Sequence, residues 1–193
     1  MPRTYRTFAA LSLALGVSTL TASGNSLAAQ EPTREPASQA PAPALDDATI
    51  VAIFDNANTA DIETGKLAAE RGHSKEVRQF GAMLARDHDM VRQQGRDLAN
   101  KLGVTPTPPA GDKSLQDQAA VIRRLSALKG AEFDRAFLQR EIQFHKDVIA
   151  AIKTTLLPAI KNEELKALVV KVATAFEAHL QMAENLGKQL ARK

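Results

Sequence analysis

At 193 residues the sequence has room for one domain with appendages. Lys and Arg number 25 against 22 Asp and Glu, and without Arg3 and Arg6, which fall in a leader expected to be removed, the balance is 23 to 22. Near-neutrality speaks against nucleic-acid or acidic-lipid binding, and the lack of Cys excludes disulfides, thiolate metal sites, lipoprotein acylation and Cys nucleophiles.

In chain order, Arg3 and Arg6 precede the apolar stretch FAALSLALGV (8–17), which is too short to span a bilayer. Ser26 and Ala28 are the small residues that signal peptidase prefers. Residues 1–28 are therefore expected to be a signal peptide cleaved near Ala28, with export to a periplasm. No later segment approaches about 18 consecutive apolar residues, so no transmembrane segment is expected in the mature chain. Residues 29–46 carry four prolines and little that a core would bury. They read as a Pro-rich disordered tether, suited to envelope association.

From residue 47 to 193 the signals are helical. Helix A is expected over about 48–71, with Asp47 as N-cap and Gly72 as its stop. Ser74 caps helix B, which runs to Leu102 before Gly103. VTPTPPAGDK is a loop, and Ser114 opens a helical segment in which Asp117 completes a capping box. On a helical wheel, Leu115, Ile122, Leu125 and Leu128 fall nearly opposite the later stripe of Leu138, Ile149, Ile152 and Leu156. One straight helix cannot bury both, so a short helix (115–128), a break at Gly130 and helix C (131–156) are expected. Asp134 is read as capping that break. Asn162 caps helix D, with Glu163 and Glu164 on its N-terminal dipole, and the helix runs to about 190. Two short turns and one long B–C crossover carrying an extra short helix predict an all-α, ferritin-like four-helix bundle.

The histidines share a placement. His88 lies at the centre of the helix B stripe (Val77, Leu84, Val91, Gly95, Leu98), and His145 at the centre of the helix C stripe, with Glu141 one turn earlier. His179 lies among Leu165, Leu168, Val172 and Leu186 on helix D, while His73 at the A–B turn faces solvent. Chance would place three histidines on such stripes about one time in fifty. Helix A contributes Asp61, centred on Ile50, Phe54, Gly65 and Ala68, whereas Glu63 points outward. Counted from the turns, these groups lie within roughly 7–9 Å of one another in height.

A buried carboxylate needs a cation or hydrogen-bond donors, because desolvation costs several kcal/mol. Asp61, His88, Glu141, His145 and His179 therefore admit two readings. The first is a core site for one transition-metal ion, with Zn, Fe or Mn suited to three imidazoles and two carboxylates. The second is a metal-free His–carboxylate network that fixes helix register in an interaction or stress module. Asp87, at the edge of the stripe, is placed to orient His88 or to remain at the surface. Nothing resembles a hydrolase nucleophile, a phosphate loop or a zincin motif.

The segments NANTADIETGKLAAERGHSKEVRQFGAMLARDHDMV, GAEFDRAFLQREIQFHKDVI and AFEAHLQMAENL resemble an exported bacterial family of unknown function, ferritin-like and often labelled predicted outer membrane proteins. The likeness spans about residues 47–190 and rests on Asp87–His88, FDRAFL, His145 and His179. It implies the bundle and an extracytoplasmic location, and no established activity. The sequence departs from ferritin-like di-iron proteins, which use Glu-x-x-His on two helices. Ala85 and Phe176 stand three residues before His88 and His179, and Glu141 precedes His145 by four, which disfavours a standard di-iron oxidase or ferroxidase. A redox enzyme would need an open coordination position, which residue spacing does not reveal.

Overall fold

Local capping chemistry sets the helix limits in the computed structural model, which describes residues 45–192. The expected signal peptide, and the tether up to residue 44, lie outside the described residues. Helix α1 spans Asp47–Arg71, and its N-cap is Asp46, which accepts from the Thr49 N–H at 2.8 Å. This corrects the expectation for Asp47. That side chain instead accepts from the Lys161 and Asn162 N–H groups at 3.0 and 3.1 Å, tying the start of α1 to the last interhelical turn. Leu45, expected in the tether, packs against the core.

Helix α2 (Lys75–Leu102) begins after Ser74, whose hydroxyl accepts from Val77 N–H, and stops at Gly103, as the sequence predicts. Helix α3 spans Ser114–Ser126. Ser114 is its first residue, and Asp112 accepts the Ser114 N–H at 2.9 Å, so the expected capping box does not form. The predicted break holds: Gly130 adopts φ 57° and opens α4 (Gly130–Ala151). That left-handed backbone lets α3 turn away and present Leu125, fully buried, while Leu115 is left 68% exposed, contrary to the wheel.

Asp134 does not cap the break. It accepts from the His73 and Ser74 N–H groups at 2.7 and 2.8 Å, so α4 holds the α1–α2 turn. Helix α4 ends earlier than predicted because residues Ile152–Leu156 widen into one π turn, followed by the short turn Leu157–Ala159. Pro158 offers no N–H to the preceding turn, and Thr154 Oγ1 donates to the Ala150 carbonyl at 2.9 Å. Helix α5 (Glu163–Leu190) starts on Asn162, whose Oδ1 accepts from the Glu164 and Leu165 N–H groups.

The result is an all-helical four-helix bundle with ferritin-like short–long–short connectivity, and the described residues contain no strand. Helix α1 packs along α2 and α4 along α5, while α1–α4 and α2–α5 contacts close the bundle and α3 leans on α1 and α4. The α1–α2 seam is tightest at Gly65 and Gly81. A Cβ at residue 81 would lie 2.6 Å from the Gly65 carbonyl oxygen, so the two backbones touch. No described helix is long and apolar enough to cross a membrane.

The apolar interior is in two pieces. One end holds Ile50, Phe54, Ile149, Leu165, Val172 and Phe176. The other holds Ala68, Leu84, Phe133, Phe137, Leu138 and Ala183. Every long helix passes from one cluster to the other, and between them each contributes buried polar side chains: Asn58, Asp61 and Thr64 from α1, His88 from α2, Arg140, Glu141 and His145 from α4, and His179 from α5.

Candidate metal centre

The polar layer carries the chemistry. His88 and Glu141 are 0% exposed, His145 1%, Asp61 2% and His179 4%, so all five predicted residues face the interior, and His73 is exposed as expected. They gather as two overlapping groups rather than one. Ligand atoms of His88, His145 and His179 lie within 4.8 Å of one another, and so do those of Asp61, Glu141 and His145.

Each imidazole is held on its outer side by one partner. His88 Nδ1 is 3.0 Å from Asn58 Oδ1, and Asn58 Nδ2 donates to the Phe54 carbonyl, which fixes the amide with its oxygen toward the ring. His145 Nδ1 donates to the Glu141 carbonyl at 3.0 Å. His179 Nε2 donates to Asp87 Oδ2 at 3.3 Å. Assigned from these acceptors, the protons sit on the outer nitrogens. The inner nitrogens (His88 Nε2, His145 Nε2 and His179 Nδ1) then present lone pairs to one another.

That arrangement is repulsive by itself. His179 Nδ1 and His88 Nε2 are 3.2 Å apart, Asp61 Oδ2 stands 3.5 Å from His88 Nε2 and 4.0 Å from His145 Nε2, and His145 Nε2 and Glu141 Oε2 have no hydrogen-bond partner among the described residues. A proton or a metal cation between the nitrogens would relieve it. Burial opposes the proton: desolvation, then His145 and His179, push His88 down to about 3. Desolvation, reinforced by His145 and opposed by Asp87, also lowers His179.

The carboxylates are organised around Arg140. Its Nη1 donates to Asp61 Oδ1, to Glu141 Oε1 at 2.9 Å and to Thr64 Oγ1 at 3.2 Å, and the guanidinium lies 3.9 Å over the Phe144 ring. Burial works against this charge, but Glu141 and Asp61 outweigh it and raise the arginine further. Desolvation raises Glu141 even though Arg140 pulls it down. Two buried carboxyl groups thus share the single guanidinium of Arg140, and Asp61 Oδ2 is left facing the imidazoles, an oxygen placed to meet a cation.

Asp87 is 27% exposed and is clamped by Arg86 at 2.9 Å, and it orients His179 rather than the adjacent His88. A wheel places a side chain on a face, but the partner across the helix seam depends on helix packing. Sequence reasoning missed Asn58, Thr64, Arg140 and Phe176. Asn58 and Thr64 flank Asp61 at helical spacing, and the Phe176 ring lies tilted at 34° against that of His88, centroids 4.8 Å apart. Arg140 shares a row with Phe133, Phe137 and Phe144, a spacing that would have found it had its charge not marked it for the surface.

A family model described as "Domain of unknown function (DUF4142)" matches residues 32–186. No curated protein matches the sequence. Among solved structures, a DUF305 fragment from Deinococcus radiodurans is similar, with 17% identity and a TM-score of 0.64 over 76% of this chain and 95% of that one. CopM in the Cu(II)-bound form is also similar, with 13% identity and a TM-score of 0.58 over 75% of this chain and 98% of that one. At such identities the likeness establishes the fold.

Proposed function

The chain belongs to the DUF4142 family, whose description leaves function open, and we propose that it is an exported bundle holding one transition-metal ion between its two apolar clusters. His88 Nε2, His145 Nε2, His179 Nδ1 and Asp61 Oδ2 are the ligands in this reading. Its role is metal or oxidative-stress handling in the envelope, to which the Pro-rich tether would keep it close. The observation that carries the reading is the convergence of three imidazole lone pairs, each turned inward by an acceptor on its outer nitrogen. Outer partners of this kind orient metal-bound histidines and raise their basicity.

The spacing supports it. Ligand bonds of about 2.0–2.1 Å at tetrahedral angles put donor atoms about 3.3–3.4 Å apart, close to the 3.2 and 3.5 Å seen between His179, His88 and Asp61, while His145 Nε2, 4.0 Å from Asp61 Oδ2, would close in on binding. Three imidazoles and a carboxylate suit Zn, Fe or Mn. CopM, similar in fold, has a Cu(II)-bound form, which adds copper to the ions to be titrated. Glu141 stands behind Arg140 and supplies charge rather than a bond to this ion. The metal-free network draws on the Arg140 ion pairs, which satisfy much of both carboxylates, but it leaves His145 Nε2 and Glu141 Oε2 without hydrogen-bond partners among the described residues.

Titration of untagged protein with Co(II) tests the proposal. Saturation at one equivalent, lost in His145→Ala and kept in His73→Ala, is the expected result. Absence of saturable uptake by the unmodified chain would defeat it.

A further inference from the structure

The atom at the centre of the second group of acidic side chains is Arg140 Nη1. Three oxygens from two helices close on that one nitrogen: Asp61 Oδ1, Thr64 Oγ1 and Glu141 Oε1. Two carboxylates and a hydroxyl form a donor set suited to a hard divalent cation. All of it is buried, with Thr64 and Glu141 at 0% exposure and Asp61 at 2%. Thr64 Oγ1 spends its own proton on the Ala60 carbonyl at 3.1 Å, so toward the centre it offers a lone pair. Glu141 Oε2 is a fully buried oxygen with no hydrogen-bond partner among the described residues, 3.6 Å from His145 Nδ1.

Asp61 joins the two halves of the layer. Its Oδ1 receives Arg140, and its Oδ2 faces His88 and His145. A carboxylate used on both oxygens in this way stands between two cationic positions, as a bridging ligand does between two metal ions. In this chain one of those positions is filled by the protein itself. The guanidinium is carried on α4, the helix that supplies Glu141, and the Phe144 face beneath it holds it in place.

We propose that Arg140 is a built-in counter-cation in the place of a second metal ion, so that its removal opens a further divalent-metal site formed by Asp61, Thr64 and Glu141. The first site follows from the proposed function. The second depends only on the oxygens around Arg140.

The test uses Arg140→Gln in the full mature chain, with Co(II) as probe, read by metal content after equilibrium dialysis and by thermal melting. The unmodified chain is expected to take one equivalent and Arg140→Gln two, with Arg140→Gln/Glu141→Gln returning to one. Removing the guanidinium leaves two carboxylates buried together, so the variant is expected to melt well below the unmodified chain in chelator and to recover most of that loss in Co(II). Stoichiometry unchanged from the unmodified chain overturns the proposal. So does a variant that stays unfolded at millimolar Co(II), because the ion then does not replace the arginine. If the unmodified chain binds nothing while Arg140→Gln binds one ion that Glu141→Gln abolishes, the second site stands and the proposed function falls.

Discussion

Gly81→Ala links the helix seam to the polar layer. In an isolated helix this change would add about 1 kcal/mol of stability. Here the new Cβ would lie 2.6 Å from the Gly65 carbonyl oxygen, 2.7 Å from Ala68 Cβ and 2.8 Å from the Ala69 nitrogen. Two of those neighbours are backbone on α1, so no rotamer change relieves the overlap and α1 must move off α2. Overpacking of this kind costs about 1–3 kcal/mol, and with backbone on both sides the upper end applies. The propensity gain offsets part of it, leaving about 2 kcal/mol of destabilisation, or about 4–8 °C in Tm for a domain of this size. Because Asn58 and Asp61 ride on α1 and His88 on α2, the same displacement should weaken Co(II) binding about tenfold. Thermal melting with and without Co(II) reads both effects. A Tm equal to or above that of the unmodified chain would refute the close-contact reasoning, since it is what an unencumbered helical glycine gives.

Other consequences follow from the buried layer. In chelator, stability should be greatest above about pH 6.5 and fall in acid: His88 takes up its proton at the ordinary pKa when unfolded but only near pH 3 when folded, so protons favour the unfolded chain between those values. His179, also lowered, acts in the same direction. Glu141, raised, acts in the opposite one, its contribution being present in acid and lost as pH rises through its folded value. The net loss between pH 7 and pH 4 should be about 2–3 kcal/mol by urea unfolding, and His88→Gln should flatten it; a profile flat for the unmodified chain would contradict the burial assigned to His88. Asp134→Ala removes the acceptor for two N–H groups of the α1–α2 turn. It should cost about 2–3 kcal/mol by the same assay without changing metal stoichiometry, and a neutral result would mean that water replaces the carboxylate.

Much of this architecture is legible in residues that act locally. Ser74 and Asn162 cap where their side chains predict, and Gly130 breaks the third segment because its two apolar stripes face opposite ways. The inward placement of Asp61, His88, Glu141, His145 and His179 is also legible, because helical period alone decides which side a residue takes. What periodicity cannot supply is the partner across a seam. Asp46 and Asp47 are equivalent as local caps, and the choice falls to two N–H groups more than a hundred residues away. Asp87 meets His179 on another helix instead of its sequence neighbour, and the five predicted ligands divide into two groups because Arg140 stands among the carboxylates. A wheel assigns arginine to the surface. Only the packed structure shows the buried charge it answers.

The central claim is that the three inward lone pairs meet a metal ion, and the metal content of untagged protein tests it most directly. Elemental analysis should return about one equivalent of a transition metal per chain. Stripping it with chelator should lower Tm by about 5–10 °C, the shift that about 3 kcal/mol of ligand linkage produces in a domain of this size. Less than about a tenth of an equivalent, with melting unchanged by chelator or by added metal, would contradict the account and leave the layer as a hydrogen-bonded network.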